Sequence, residues 1–297
     1  NGRVWESSGI VKYPKMFMPE EWYVACGSCY NVDVAPDKDD LTYECTNCGE
    51  SSGRVARRFL EPKGFVTAYI NRKGSDPGMV RKRERPADEA RLIVVPNDDY
   101  FQSTDHKDVK LALLPAQQID DGPSGDLVII NRGPRTFGYH VCGYCGFSIP
   151  ARSPAPAGQK HHQPLSDEWC PKEQLPRPID LGHRFSTDVL VIRFQNLMPE
   201  PPQGDQASLF LDGFARTTTE AMRYAAAASL QVGISELRAT YRRNGRHLDV
   251  IIYDSAAGGA GYCRRLLELV AVDSLLSEAV EKLSCPRECS NACTACL

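Results

Sequence analysis

The sequence predicts an α+β fold with an N-terminal zinc ribbon, mixed β segments and a C-terminal α/β domain closed by a four-cysteine zinc knot. Eleven of the twelve cysteines fall into three clusters that have the short spacings of metal ligands. Short apolar runs typical of strands precede an alanine-rich stretch typical of a helix. With 297 residues and 42% hydrophobic content, the chain is long and apolar enough for about two domains.

The cysteine clusters predict about three zinc ions. The two sulfurs of a C-x2-C pair lie about 3.5–4 Å apart, which suits a tetrahedral zinc site. Four protein ligands close such a site, so these zinc ions are expected to be structural rather than catalytic. The expected ligands are Cys26, Cys29, Cys45 and Cys48 in the first cluster, Cys142, Cys145, His162 and Cys170 in the second, and Cys285, Cys289, Cys293 and Cys296 in the third.

Some alternatives to this metal assignment stay open at this point. His161 precedes His162, and the sequence gives no firm ground for preferring either, although we take His162 as the expected ligand. Six disulfides would suit a small secreted domain, whereas this chain is long and has no evident signal peptide. The spacing of the third cluster also allows an iron–sulfur cluster in place of zinc.

The negative net charge of the chain disfavours binding to nucleic acid, except at a local basic patch. The formal net charge is −3, and metal-bound thiolates at the three sites would lower it to about −8. Residues 54–91 are rich in arginine and lysine, so this segment is predicted to contact phosphates, although such runs are often only solvated surface. The residues expected to contact DNA here are Arg57, Arg58, Arg72, Lys73, Arg81, Lys82 and Arg83.

The pattern along the chain divides it into four segments. They are a zinc ribbon at 1–60, a basic linker with β segments at 61–136, a second zinc knuckle with a Pro-rich loop at 137–178, and a C-terminal domain at 179–297.

The C-terminal segment carries the clearest signals of secondary structure. Thr217-x-x-Glu220 is typical of a capping box, so a helix is predicted to begin there. Asn244-Gly245 predicts a two-residue hairpin turn, and the apolar run 248–254 predicts a central strand. A long helical stretch is expected from about Tyr262 to about Leu283.

A glycine turn follows the predicted central strand and precedes the last helical stretch. Gly258, Gly259 and Gly261 are candidates for contact with nucleic acid, because backbone amides at a helix N-terminus can face a phosphate. The run lacks the lysine and Ser/Thr of a nucleotide triphosphate loop. The alternative is a tight crossover with no room for side chains. Asp254, together with His183 and Asp188 elsewhere in the chain, could also indicate acid–base or metal catalysis. His183 is more typical of a structural histidine and Asp254 of a helix or turn cap, so no catalytic residue is assigned.

Four features together resemble a known family. They are Leu181-Gly182-His183-x3-Thr187-Asp188, Tyr253-Asp254-Ser255-x2-Gly258-Gly259-Ala260-Gly261-Tyr262, the terminal four-cysteine knot, and the ending Cys293-x2-Cys296-Leu297. Residues 137–297 resemble the zinc-binding C-terminal (MZB) domain of mitomycin-repair-type DEAD/DEAH-box helicases. Similar domains occur in the DrmB subunit of DISARM phage defence and in the C-terminal region of large bacterial antiviral helicases.

The resemblance implies a DNA-binding accessory module that works with a superfamily-two DEAD/DEAH motor in bacterial antiphage defence or DNA repair. ATP and Mg²⁺ are expected only on that motor, because no Walker A, D-E-x-H or arginine-finger motif is found here. The expected partner is DNA that is single-stranded or has a single-stranded end. The alternative is a structural zinc scaffold that docks the motor without contacting DNA.

The sequence also leads to an expectation about the cellular environment of the chain. The cysteine usage predicts a reducing, cytoplasmic environment, and no apolar run has the ~20 residues of a membrane span. Whether the chain is a fragment of a helicase or a separate subunit stays open.

Overall fold

The computed structural model describes residues 7–11, 20–67, 90–94, 96–118, 122–133, 135–158, 160–164, 166, 168–204, 206–285 and 287–288. In this part of the chain the fold is a mixture of α and β structure, with mostly strands and three α-helices. None of the described helices is both long and apolar enough to cross a membrane.

Strands and helices are numbered in chain order. The strands are β1 Ser7–Ile10, β2 Glu20–Ala25, β3 Val32–Ala35, β4 Arg57–Leu60, β5 Phe65–Thr67, β6 Arg91–Leu92, β7 Gln102–Ser103, β8 Val109–Leu114, β9 Asp126–Asn131, β10 Tyr139–Val141, β11 Ser148–Pro150, β12 Ala157–Gly158, β13 Gln174–Leu175, β14 Asp180–Ser186, β15 Val189–Phe194, β16 Leu237–Asn244 and β17 His247–Asp254. The helices are α1 Ala207–Leu230, α2 Tyr262–Leu269 and α3 Val272–Leu283.

A five-stranded antiparallel sheet has the order β16-β17-β15-β8-β7. The predicted central strand is confirmed, since β17 lies between β16 and β15 and its residues 248–254 are all buried. The predicted hairpin is also confirmed, but its turn lies one residue later than expected. Asn244 ends β16 and pairs with His247, so the two turn residues are Gly245 and Arg246, and Gly245 has the positive φ of 57° that suits the first of them.

A six-stranded sheet has the order β3-β2-β4-β14-β9-β6. It draws strands from both the ribbon segment and the C-terminal segment, because β4 pairs in parallel with β14 through Phe59–Asp180 and Leu60–Leu181. Both large sheets therefore cross the boundaries expected from the sequence, and the four-part division stays a prediction.

The five-stranded sheet is covered on both faces, because successive residues of a strand point to opposite sides. In β15, Leu190 and Ile192 pack in the large apolar core with the three helices. Val189 and Val191 pack on the other side with Leu127 of β9. The molecule thus has a helical layer, a five-stranded sheet and a six-stranded sheet that pack against one another.

Helix α1 begins earlier than predicted. The expected capping box is wrong, because α1 starts at Ala207 and Thr217 and Glu220 lie inside it. Glu220 accepts hydrogen bonds from Arg223 at 2.7 and 2.9 Å instead of capping a helix start. The extra turns form because Leu211 and Phe214 lie at helical spacing and pack against the core.

The last helical stretch is two helices rather than one. Helix α2 ends where Val270 takes an extended conformation, with φ of −112° and ψ of 115°. Helix α3 then begins at Val272 and packs along α1, burying Leu275 and Ala279. The break redirects the chain so that both helices bury apolar side chains against the same core.

Candidate metal centres and the glycine turn

The first cysteine cluster is assembled into a compact group. The sulfurs of Cys26, Cys29, Cys45 and Cys48 all lie within 4.8 Å of one another. The distances are 3.7 Å from Cys26 Sγ to Cys48 Sγ and 3.5 Å from Cys29 Sγ to Cys45 Sγ. A tetrahedral zinc ion with Zn–S bonds of about 2.3 Å would hold its sulfurs about 3.8 Å apart. The group therefore fits zinc, and these separations are too long for disulfides.

The three C-x2-C pairs in the described part of the chain end in the same backbone turn. The amide of the first cysteine donates to a carbonyl five residues later, as in Cys26 to Asn31, Cys45 to Glu50 and Cys142 to Phe147. The residue after each pair has a positive φ, with 68° at Tyr30, 73° at Gly49 and 80° at Gly146. This repeated turn can aim backbone amides at the sulfurs and partly offset the charge of metal-bound thiolates.

The ionisation of the thiols is consistent with a shared metal. Burial opposes ionisation of Cys26, but the amides of Cys29 and Ser28 donate to its sulfur, and the net effect lowers its pKa. Burial raises the pKa of Cys29 well above its usual value. A metal ion would supply the positive charge that lets all four thiols lose their protons.

The second group contains Cys142, Cys145, His161 and Cys170, whose ligand atoms also lie within 4.8 Å of one another. Cys142 Sγ and Cys170 Sγ are 3.8 Å apart. Burial opposes ionisation of Cys142, but backbone amides and His161 donate to its sulfur and lower its pKa to about 7. The donor set and spacing fit zinc held by three cysteines and one histidine.

The grouped histidine is His161, which differs from our expectation of His162. His161 is buried and stacks on Phe147 with ring centroids 4.5 Å apart. The side chain of His162 is exposed and stacks on Trp169 instead, at 3.9 Å. The two residues are consecutive in an extended segment, so their side chains point to opposite sides.

The third cluster is described only at its first residue. The amide of Arg287 lies 3.4 Å from Cys285 Sγ, and the amide of Glu288 donates to the carbonyl of Cys285 at 3.0 Å. Cys289, Cys293 and Cys296 lie outside the described residues. Their assignment as ligands, and the choice between zinc and an iron–sulfur cluster, stay predictions.

The first metal group is docked on the hairpin between β16 and β17. The amide of Arg243 donates to the carbonyl of Cys29 at 2.9 Å, and its guanidinium donates to Ser28 O at 3.0 Å. Asn47 donates to the Arg243 carbonyl at 3.1 Å, and Asn244 donates to Asn47 O at 2.8 Å. The hairpin tip thus hydrogen-bonds directly to the loops that carry the cysteines.

The glycine turn is organised by the fully buried Asp254. Its carboxylate accepts hydrogen bonds from the amides of Ala260 at 2.7 Å, Cys263 at 3.0 Å and Tyr262 at 3.1 Å. These amides, at the start of α2, therefore already have an anionic acceptor inside the protein. Two of the predicted phosphate contacts also have internal acceptors, since the amide of Gly258 donates to Ser186 O at 2.8 Å and that of Gly259 donates to Ala256 O at 3.1 Å.

Asp188 and Thr187 complete this assembly at the ends of β15 and β17. Thr187 Oγ1 donates to the carbonyls of Asp254 at 3.0 Å and Ala256 at 2.7 Å. The Asp188 carboxylate accepts from the amide of Ala116 at 2.9 Å. It also lies so close to Gly259 that a Cβ there would be 2.8 Å from Asp188 Cγ. The motifs at 181–188 and 253–262 therefore meet at this turn, where their hydrogen bonds hold them together.

Acid–base catalysis gains no support from this geometry. Asp254 and Asp188 meet at the ends of the five-stranded sheet, with their carboxylates bonded to backbone amides. His183 lies on β14 of the other sheet, where its Nδ1 is 2.9 Å from Glu61 Oε1. The interpretation of Asp254 as a turn cap accounts for its contacts.

The described DNA-contact candidates have internal partners. The guanidinium of Arg57 donates to both carboxylate oxygens of the buried Asp180 at 2.7 Å, and Tyr23 donates to the same group. Arg58 pairs with Glu20 at 3.0 Å and lies over the ring of Trp22. The remaining candidates, Arg72, Lys73, Arg81, Lys82 and Arg83, lie outside the described residues.

Comparisons with known proteins find a family match at the C-terminal end and a relative that aligns with nearly the whole chain. Residues 218–297 match the family model MZB, described as the MrfA Zn-binding domain. The chain is 24% identical over 310 residues to Druantia protein DruE of Escherichia coli (strain UMEA 4076-1), an alignment that covers 95% of this chain. The chain spans only 16% of the length of that relative.

A solved structure is also similar, entitled "Crystal Structure of DUF1998 helicase MrfA bound to DNA". The similarity covers 70% of this chain and 22% of that one, with a TM-score of 0.36 and 10% identity. The resemblance noted in the sequence is confirmed by the family match, over a shorter span than the expected 137–297. Residues 218–297 of this chain therefore form a domain of the MZB type.

Proposed function

We propose that this chain is a zinc-stapled accessory module of a helicase, and that it contacts DNA beside a superfamily-two DEAD/DEAH motor in bacterial antiphage defence or DNA repair. The family match carries this proposal, because the MZB domain is named for the zinc-binding domain of MrfA, a helicase whose crystal structure is entitled as bound to DNA. ATP and Mg²⁺ would belong to the motor. The similarity to a Druantia protein supports a defence setting, and DISARM stays a further possibility for the same type of domain.

The metal groups support a rigid scaffold role within this function. Two four-ligand groups with sulfur separations of 3.5–3.8 Å fit structural zinc. The terminal cysteines would hold a third ion, as the family description implies. A surface fixed by metal loses little conformational entropy when it binds a partner, so a small module can bind DNA or a motor effectively.

A second function, docking of the motor without DNA contact, is favoured by one observation. Arg57 donates its guanidinium to the buried Asp180, and Arg58 is engaged in a surface ion pair with Glu20. If the other candidates at 72–83 are also engaged with protein, the module would lack the cations that the 54–91 patch was expected to provide.

Binding of a single-stranded oligonucleotide at two salt concentrations, with zinc measured on the same sample, tests the proposal. A DNA-facing module with three phosphate contacts should lose about 20-fold in affinity between 50 and 200 mM salt. A zinc-loaded chain that binds at neither salt would contradict DNA contact and favour the docking scaffold.

A further inference from the structure

The second metal group displays aromatic rings on its outer surface. Tyr144 is 55% exposed and Trp169 is 62% exposed, and the His162 side chain is also exposed. Each of these residues is adjacent in sequence to a member of the metal group, namely Cys145, Cys170 and His161. Single exposed rings are common on protein surfaces, whereas several rings gathered around one metal group indicate a binding surface.

The backbone around Trp169 is fixed in place. The amide of Cys170 donates to the His161 carbonyl at 2.9 Å, and His162 and Trp169 form an antiparallel bridge. The amide of Gln163 donates to the Glu168 carbonyl at 2.9 Å. The Trp169 ring also lies against the His162 ring, with centroids 3.9 Å apart and planes tilted by 32°, and this contact restricts its motion before a partner binds.

An apolar groove bordered by two arginines lies on the same part of the protein. Its volume is about 580 Å³, and Ile149 and Ala157, which also pack against the second metal group, form part of its wall. The exposed side chains of Arg135 and Arg152 border it, and His140 is buried in its lining with Nδ1 2.9 Å from Pro176 O. Arginine at the edge of an apolar groove can hold a phosphate while the walls receive less polar groups.

We propose that this surface, formed by Tyr144, Trp169, Arg135 and Arg152, binds single-stranded DNA. Unpaired bases stack on the rings of Trp169 and Tyr144, and the two arginines contact the phosphates. Exposed rings beside a cationic groove form the arrangement that binds single strands with little sequence preference. The inference rests on the proposed function and places its DNA contact at the second zinc knuckle instead of the 54–91 segment.

The test measures binding of a fluorescein-labelled oligothymidylate to the 297-residue chain by anisotropy. Trp169→Ala and Tyr144→Ala should each weaken binding about 5- to 150-fold, because one stacked base is lost. Trp169→Phe keeps a ring and should retain most of the affinity. Tyr100→Ala is the matched control, since Tyr100 is 45% exposed in a 3-10 turn beside β7, and it should bind like the unaltered chain.

A second arm does not depend on residues next to the metal group. Replacing Arg135 and Arg152 together with alanine should reduce the slope of log affinity against log salt by about 1.4, since each phosphate contact contributes about 0.7. The zinc content of every variant is measured. If an aromatic variant loses zinc, its binding result is not used, and the Arg135/Arg152 double variant decides the test.

The outcomes separate this inference from the proposed function. If the unaltered chain binds the oligonucleotide and all of these variants bind like Tyr100→Ala, this surface is not the DNA site. Its exposed aromatic rings would then indicate a protein partner. If the zinc-loaded unaltered chain binds no oligonucleotide, DNA contact itself is overturned, and this inference with it.

Discussion

His161 and His162 show how the direction of one side chain decides which residue can reach a metal. The sequence shows that a histidine lies between Cys145 and Cys170. It does not show which of the two consecutive side chains points toward the cysteines, because this depends on the contacts that fix the backbone on either side. Here the bridge between His162 and Trp169 turns His162 outward and leaves His161 with the three cysteines. Six of the seven grouped cysteines belong to C-x2-C pairs, whose spacing alone brings two sulfurs together, whereas Cys170 joins its group from a distant position in the chain.

We expect His161→Ala to lower the zinc content of the purified chain by about one ion, because a three-cysteine site loses its fourth ligand. His162→Ala should leave the zinc content unchanged. Metal content by mass spectrometry, on protein washed with a weak chelator, checks both variants. Loss of zinc from His162→Ala with retention in His161→Ala would reverse the assignment, and Cys142→Ser provides the positive control for an emptied site.

The turn between β17 and α2 is an element whose type, though not its internal contacts, follows from the sequence. Three glycines in four residues after an apolar strand predict a tight crossover. The first amides of α2 donate to Asp254, which lies at the end of β17, several residues before the helix. No local sequence pattern predicts a capping residue so far from the helix start. Local patterns also fail for α1, because Thr217 and Glu220 have the spacing of a capping box but lie inside a longer helix.

Gly259→Ala and Gly258→Ala form a matched pair for this turn, since both glycines have a positive φ, 80° and 86°. A methyl group on Gly258 meets open space, so only the left-handed backbone cost of about 1–2 kcal/mol is expected. A methyl group on Gly259 also presses on Asp188, which adds about 1–3 kcal/mol. Urea unfolding at constant m-value measures both losses.

Equal losses in the two alanine variants would contradict the close packing of Gly259 on Asp188. The same pair also bears on the glycine turn as a DNA contact. A variant that keeps its stability and loses DNA affinity would favour contact with phosphate through this turn. A loss of stability without a change in affinity would favour a purely structural turn.

Across the whole molecule, the sequence predicts the parts better than their arrangement. The hairpin at Asn244-Gly245 and the central strand β17 are encoded by local patterns. The pairing of β4 with β14 joins residues about 120 positions apart, and the buried Asp180 is satisfied there by Arg57 and Tyr23. Such long-range pairing depends on the complete set of packed surfaces, so segments that seem separate in sequence share one sheet.

The contact between the first metal group and the β16–β17 hairpin leads to the last prediction. Cys45→Ser should empty the first site, loosen the loop around Cys29 and so weaken the hydrogen bond from the Arg243 amide to the Cys29 carbonyl. A backbone hydrogen bond contributes about 0.5–1.5 kcal/mol, so this amide should exchange with deuterium up to about tenfold faster. Peptide-level hydrogen exchange across residues 240–245 measures the change.

Cys170→Ser is the matched control for this experiment, since it removes a cysteine from the second group and leaves the ribbon loops intact. It should speed exchange around 161–170 and leave 240–245 unchanged. If Cys45→Ser leaves the hairpin protected, the ribbon is an appended module that does not support the C-terminal sheet. If only the ribbon variant exposes the hairpin, zinc at the first site stabilises the sheet that carries the MZB-type domain, because Arg243 hydrogen-bonds to Ser28 and Cys29 from the tip of that hairpin.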